Sequence, residues 1–157
     1  MREPVAYKRS RFTAQLPADR LYTPSHFWLA EDAPGIWRVG FTQLATWLLG
    51  DPVEFAFFVE PGAPLATGQE IGWVEGLKSL HTLYSVADGE FLEAGDAIAE
   101  DITRIDADPY ELGWLYRVRG NPAPDAVGVE HYVVLLDAAV DAVIRGREAE
   151  CGGECEG

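Results

Sequence analysis

Short apolar runs bounded by turn residues dominate this chain, and a helical period replaces them in only two places. "LYTPSHFWL" (21–29) reads as an opening strand with a turn at Thr23-Pro24, and "GIWRVGF" (35–41) as a second strand. The period then changes. In "TQLATWLLG" (42–50), Leu44, Trp47 and Leu48 share one helical face, Thr42 is placed to cap the start and Gly50 to stop it. "DPVEFAFFVEP" (51–61) returns to strand character and ends at Pro61-Gly62. A strand is expected from about Glu70, with Gly72 and Gly76 marking a bulge or a close backbone approach. "TLYSVA" is its returning partner, "DG" (88–89) a tight turn and "EFLEA" the next strand. Past a loop rich in Asp and Gly, Trp114–Val118 reads as a further strand, and Pro122 and Pro124 break the chain. From Glu130 to Arg145 the pattern is helical again. Tyr132, Leu136, Ala139 and Val143 stack opposite Asp137 and Asp141, with Gly146 as the stop.

Many short strands with one short internal helix and one longer terminal helix predict a mostly β fold. A small barrel or sandwich with helical additions is the natural architecture. The expected organisation is an N-terminal arm (1–20), one domain (21–146) that includes the helix at 130–146, and a flexible tail (147–157). A chain of 157 residues suffices for one domain with a real core.

Charge sharpens the picture. The formal net charge is -14, which repels nucleic-acid backbones and anionic lipid and makes both poor partners. Residues 1–20 run against the trend at net +3, leaving -17 for the remainder, so the arm is basic. Pro4, Pro17 and the acids Glu3 and Asp19 spoil an amphipathic targeting helix there, and no apolar run is long enough to span a bilayer. The two cysteines, Cys151 and Cys155, both lie in the tail, so no disulfide framework exists and a reducing cytoplasm is the expected compartment. Two thiols are also too few for a closed zinc site.

Catalytic signatures are missing. Nothing matches G-x-G-x-x-G, a GK[ST] phosphate loop or a G-x-S-x-G elbow. His26, His81 and His131 lie far apart in sequence and read as surface or hydrogen-bonded structural residues. What stands out is Lys78. Only Lys8 and Lys78 are lysine among 12 basic residues, and Lys78 falls between an incoming and an outgoing strand. A lysine presented at a hairpin tip suits enzymatic acylation of its amine, which removes the charge. An ordinary solvated turn lysine fits the spacing equally well.

Four blocks in order add to this reading: "YTPSHFWL"; "VGFTQLATWLLGDPVEFAFFVEPGAPLATGQEIGWVEGLKS"; "YSVADGEF"; and "DPYELGWLYRV". Together, over roughly Leu21 to Arg119, they resemble the H protein of the glycine cleavage system and its lipoyl-carrier relatives. The resemblance implies a flattened lipoyl-domain β-barrel with Lys78 as the site of covalent lipoate. It further implies a non-catalytic carrier whose swinging arm shuttles a thiol-bound intermediate between partner enzymes, after a lipoate-attaching enzyme has modified it. Ser25, Phe27, Glu75 and Thr82 are the expected arm-cradling residues. The chain's only methionine is Met1, unlike the methionine-flanked lysine of biotin carriers.

Two departures bear on cargo. Glycine-cleavage carriers generally place acids where this chain has Phe27 and Thr82. A buried ammonium without such partners is costly. These positions favour a sulfur cargo, as in lipoate-binding proteins that serve a heterodisulfide-reductase-like complex in sulfur oxidation. Glycine cleavage, with an aminomethyl cargo, is the alternative. An unmodified binding module and a small enzyme using His81 are further classes that the residues leave open.

Overall fold

The structure, a computed structural model, describes residues 3–154. A hairpin of β1 (Val5–Arg9) and β2 (Phe12–Leu16) opens the fold. β3 (Leu21–Tyr22), β4 (Phe27–Ala33) and β5 (Ile36–Phe41) lead into helix α1 (Gln43–Leu49). Strands β6 (Pro52–Phe57), β7 (Pro64–Leu65), β8 (Glu70–Gly76), β9 (Leu80–Tyr84) and β10 (Ala87–Ala94) follow. Two short helices, α2 (Asp96–Glu100) and α3 (Arg104–Ala107), precede β11 (Tyr116–Pro122) and the long helix α4 (Val129–Glu154).

One sheet has the order β3-β4-β5-β11-β10-β7 and a second the order β6-β8-β9, with neighbours antiparallel. Residues from both sheets meet in one core that includes Phe27, Leu29, Val39, Ile71, Val74 and Leu83. Strand β4 explains why a second core exists. Its successive side chains point to opposite faces, and Phe27 through Ala30 are all buried. Phe27 and Leu29 join the core between the sheets. Trp28 and Ala30 face the other way and are covered by Phe12 and Leu16 of the hairpin and by Tyr132, Leu136 and Val140 of α4. The flattened, mostly β architecture with its internal and C-terminal helices is the expected one.

Several local readings change. The opening strand is two strands, because the backbone reverses between Thr23 and Phe27: the Thr23 N–H bonds the Phe27 carbonyl at 2.9 Å, and His26 takes φ +69. Asp88-Gly89 is not a turn but lies inside β10, where Gly89 pairs with Gly120 of β11. A Cβ on Gly89 would stand 1.9 Å from the Arg119 carbonyl oxygen, so this glycine serves close strand approach. Gly72 does the same: its Cβ would meet the Ala56 carbonyl at 2.2 Å. β11 begins at Tyr116 and runs to Pro122, later than predicted. The Asp-rich loop holds α2 and α3, which are too short to show a helical period.

The basic arm is an ordered hairpin seated on α4. The Tyr7 hydroxyl donates to Asp137 at 2.8 Å, and Arg9 donates two hydrogen bonds to Asp141, at 2.7 and 2.8 Å. Helix α4 continues through Gly146 to Glu154. Without a left-handed turn at Gly146, glycine only weakens a helix, by about 1 kcal/mol against alanine. Of the expected tail, Cys151 falls within this helix, and residues 155–157, with Cys155, lie outside the described residues. Among the described residues no helix is long and apolar enough to cross a membrane.

Candidate functional site

The C-terminal end of α1 leaves carbonyl groups without intrahelical partners, and the β8–β9 hairpin tip supplies donors to them. The Lys78 N–H bonds the Leu49 carbonyl at 3.0 Å, and the Ser79 hydroxyl donates to the Leu48 carbonyl at 3.0 Å. The Lys78 Nζ donates to the Trp47 carbonyl at 3.4 Å, and the Leu77 N–H bonds the Asp51 carbonyl at 2.9 Å. Two glycines make this approach possible. A Cβ on Gly76 would lie 2.2 Å from the Leu49 carbonyl oxygen. Gly50, at φ +76 and ψ -165, occupies a backbone region essentially confined to glycine, and a Cβ there would strike the Lys78 side chain at 2.8 Å. Lys78 is therefore exposed but rigidly mounted.

Two clefts open beside this mount, on different faces of α1. The first is apolar, with a volume of about 260 Å³. Ser25, Phe27 and Thr82, three of the predicted arm-cradling residues, line it together. Glu75 does not. It is exposed on β8, opposite Leu80 in the ladder.

His26 and His81, distant in sequence, converge on the same cleft. The His26 Nδ1 lies 2.7 Å from the Tyr132 hydroxyl, which donates in turn to Thr42 Oγ1 at 3.1 Å. With its proton given to Thr42, that hydroxyl accepts from Nδ1–H, leaving Nε2 as a free acceptor. Burial first, then the proximity of His81, pulls the His26 pKa down to about 4. Burial also lowers that of His81, whose ring meets Phe41 edge-on with centroids 5.6 Å apart. The reading of a hydrogen-bonded structural histidine holds for His26. The convergence of the pair was missed, and the only sequence cue to it is their adjacency to the cleft residues Phe27 and Thr82. His131 is exposed on α4.

The second cleft is larger, about 440 Å³, and more polar. Arg11, Phe12 and Thr13 of the hairpin form one wall, Trp47 of α1 another, and Asp51, Lys78 and Asp106 complete it. The Phe12 and Trp47 rings lie 5.2 Å apart. Burial and then the neighbouring Asp51 charge raise the Asp106 pKa above the ordinary carboxylate value.

Comparison with known proteins gives a consistent result. The family model described as "Glycine cleavage H-protein" matches residues 20–132. A glycine cleavage system H protein of Enterobacter sp. (strain 638) is 32% identical over 135 residues, covering 86% of this chain and 99% of the relative. One from Rubrobacter xylanophilus is 35% identical over 124 residues, covering 79% of this chain and 97% of the relative. The crystal structure of a glycine cleavage system H protein from Mycobacterium marinum superposes with a TM-score of 0.67 at 34% identity, covering 74% of this chain and 95% of that one. The chain belongs to the glycine cleavage H-protein family, non-catalytic carriers that hold lipoate covalently on a lysine.

Proposed function

We propose that the chain is the lipoyl carrier of a cytoplasmic glycine cleavage system. It bears lipoate on Lys78 and hands a glycine-derived, amine-bearing cargo between the enzymes of that system. The observation that carries this reading is the seat of Lys78, at an exposed hairpin tip fixed by backbone bonds to the end of α1, inside the span matched by the family. The residues fit the group. Among the described residues the Lys78 amine makes no ion pair, and its one hydrogen bond, to Trp47, is long. Acylation therefore removes a charge that no packing contact uses.

When bound, lipoate supplies a strained disulfide that opens by thiol exchange and leaves a sulfur to hold cargo. The chain's own residues present the amine and offer a sheltering cleft. Its acidic surface favours docking to basic faces of the partner enzymes. A lipoate-attaching enzyme must act first.

The sulfur cargo expected from Phe27 and Thr82, and with it a heterodisulfide-reductase-like partner, draws its support from those two side chains and, faintly, from the tail thiols Cys151 and Cys155. The names of the relatives move the weight to glycine cleavage. Co-expression with a lipoate ligase tests the attachment. Intact mass should rise by one lipoyl group in the wild type and not in Lys78→Arg, and a wild-type mass without the addition would refute the reading. Loading of the modified carrier by glycine decarboxylase tests the cargo. Failure beside a functioning control carrier would return the argument to sulfur.

A further inference from the structure

Resting on that reading, we infer that two imidazoles on the apolar cleft, His26 and His81, are the hydrogen-bond acceptors for the ammonium end of the cargo. The wall of this cleft carries no carboxylate. Its polar side chains are Ser25, Thr82, Tyr84 and the two histidines, and Phe27, Phe41 and Leu48 are among the apolar residues that complete it. An ammonium group that entered such a space without partners would be costly. His81 follows Lys78 by three residues, roughly 10 Å along a strand, a span that the lysine stem and the lipoyl chain together exceed.

Both rings have a nitrogen to offer. Nδ1 of His26 is engaged with the Tyr132 hydroxyl, which leaves Nε2 as the acceptor. His81 is half-buried with its ring edge-on to Phe41, and among the described residues neither of its nitrogens has a hydrogen-bond partner. Packing uses the ring, but nothing in the fold uses its nitrogens. A neutral imidazole presents one acceptor nitrogen, and an ammonium group has three N–H donors. Two imidazoles and one wall hydroxyl satisfy that number. Charge agrees with this role. Burial holds the His26 pKa at about 4 and lowers that of His81, so near neutral pH the rings accept from a cation instead of repelling it. The acids absent at Phe27 and Thr82 are thus answered by the residues beside them in sequence.

The test uses full-length, lipoylated protein verified by mass. The arm is reduced and both thiols are capped with 2-bromoethylamine, each thiolate displacing bromide to leave a thioether that ends in an ammonium. A second sample is capped with 1-bromopropane, which puts a methyl group in the same place. Lys78→Arg protein treated identically subtracts any modification of Cys151 and Cys155. The readout is the nitrogen-15 NMR signals of the ring nitrogens at pH 7, assigned with His26→Asn and His81→Gln. The unprotonated nitrogens of both rings should move at least twice as far under the ammonium cap as under the methyl cap. Equal movement under the two caps would make the imidazoles mere wall and overturn the inference. Rings that stay still under both caps would overturn it as well, and a response from one ring alone would remove the other from the role. In each of these outcomes the lipoyl mass is present, so the carrier reading stands. A protein that gains no lipoyl mass would remove that reading itself.

Discussion

Burial beside Tyr132 and the proximity of His81 disfavour the charged imidazole, and this gives His26 a thermodynamic signature. Its folded pKa of about 4 lies below the ordinary 6.5, so the unfolded chain takes up the proton first as pH falls. The contribution is complete above about pH 6.5, is lost progressively down to about pH 4, and amounts to at most about 3 kcal/mol. His81, also lowered by burial, acts in the same direction. Urea unfolding at pH 7, 5.5 and 4.5 should show this loss, and His26→Asn should flatten the slope. Asparagine tolerates the left-handed backbone that His26 adopts, so the variant changes titration without adding much strain. A slope unchanged in the variant would assign the pH dependence to other groups. At this scale the hairpin-tip position of Lys78 and the meeting of Ser25, Phe27 and Thr82 on one cleft were legible because these residues sit in ordered motifs. His26 and His81 were not, because their meeting depends on strands β4 and β9 being brought together, which no local pattern encodes.

Between elements, the junction of α1 with the β8–β9 hairpin governs how the lysine is presented. Gly76→Ala would force a methyl group to within 2.2 Å of the Leu49 carbonyl oxygen and 2.6 Å of the Leu49 side chain. The expected result is a destabilisation of about 1–3 kcal/mol, in the range of overpacking, together with slower lipoylation of Lys78, read by thermal unfolding and by a mass time course. Wild-type behaviour in both assays would show that the backbone relaxes at no cost. The ends of α1 were readable because Thr42 and Gly50 are strong local punctuation. The Thr42 side chain, however, forms no helix-capping bond, and its Oγ1 accepts from Tyr132 instead. Gly89 misled because one residue type serves both a tight turn and a close strand approach. Only the opposing Gly120 distinguishes them.

Across the whole molecule, the start of the chain is folded onto its end. Phe12 is buried between the hairpin, α1 and α4, and Phe12→Ala should cost about 3–5 kcal/mol. Faster amide exchange in β1 and β2 than in β8 and β9 would show the hairpin lifting away. Uniform exchange would show instead that the molecule melts as one unit. Arg9→Ala should matter far less, because its pair with Asp141 is largely exposed, and added salt should erase the difference. The alternation of Phe12, Ala14 and Leu16 is plain in the sequence, but the flanking bases Arg9 and Arg11 and the nearby Pro17 made the segment read as an arm. Asp137 and Asp141, read from the sequence as lying opposite the apolar face of the helix, bond Tyr7 and Arg9 of the hairpin. The bond from Tyr132 to Thr42 ties α4 to the start of α1, and the far end of α1 carries the lysine mount. A polypeptide still short of Tyr132 on the ribosome lacks this brace, so a truncated product should take up the cofactor more slowly than the whole chain, which a mass time course on the two would show.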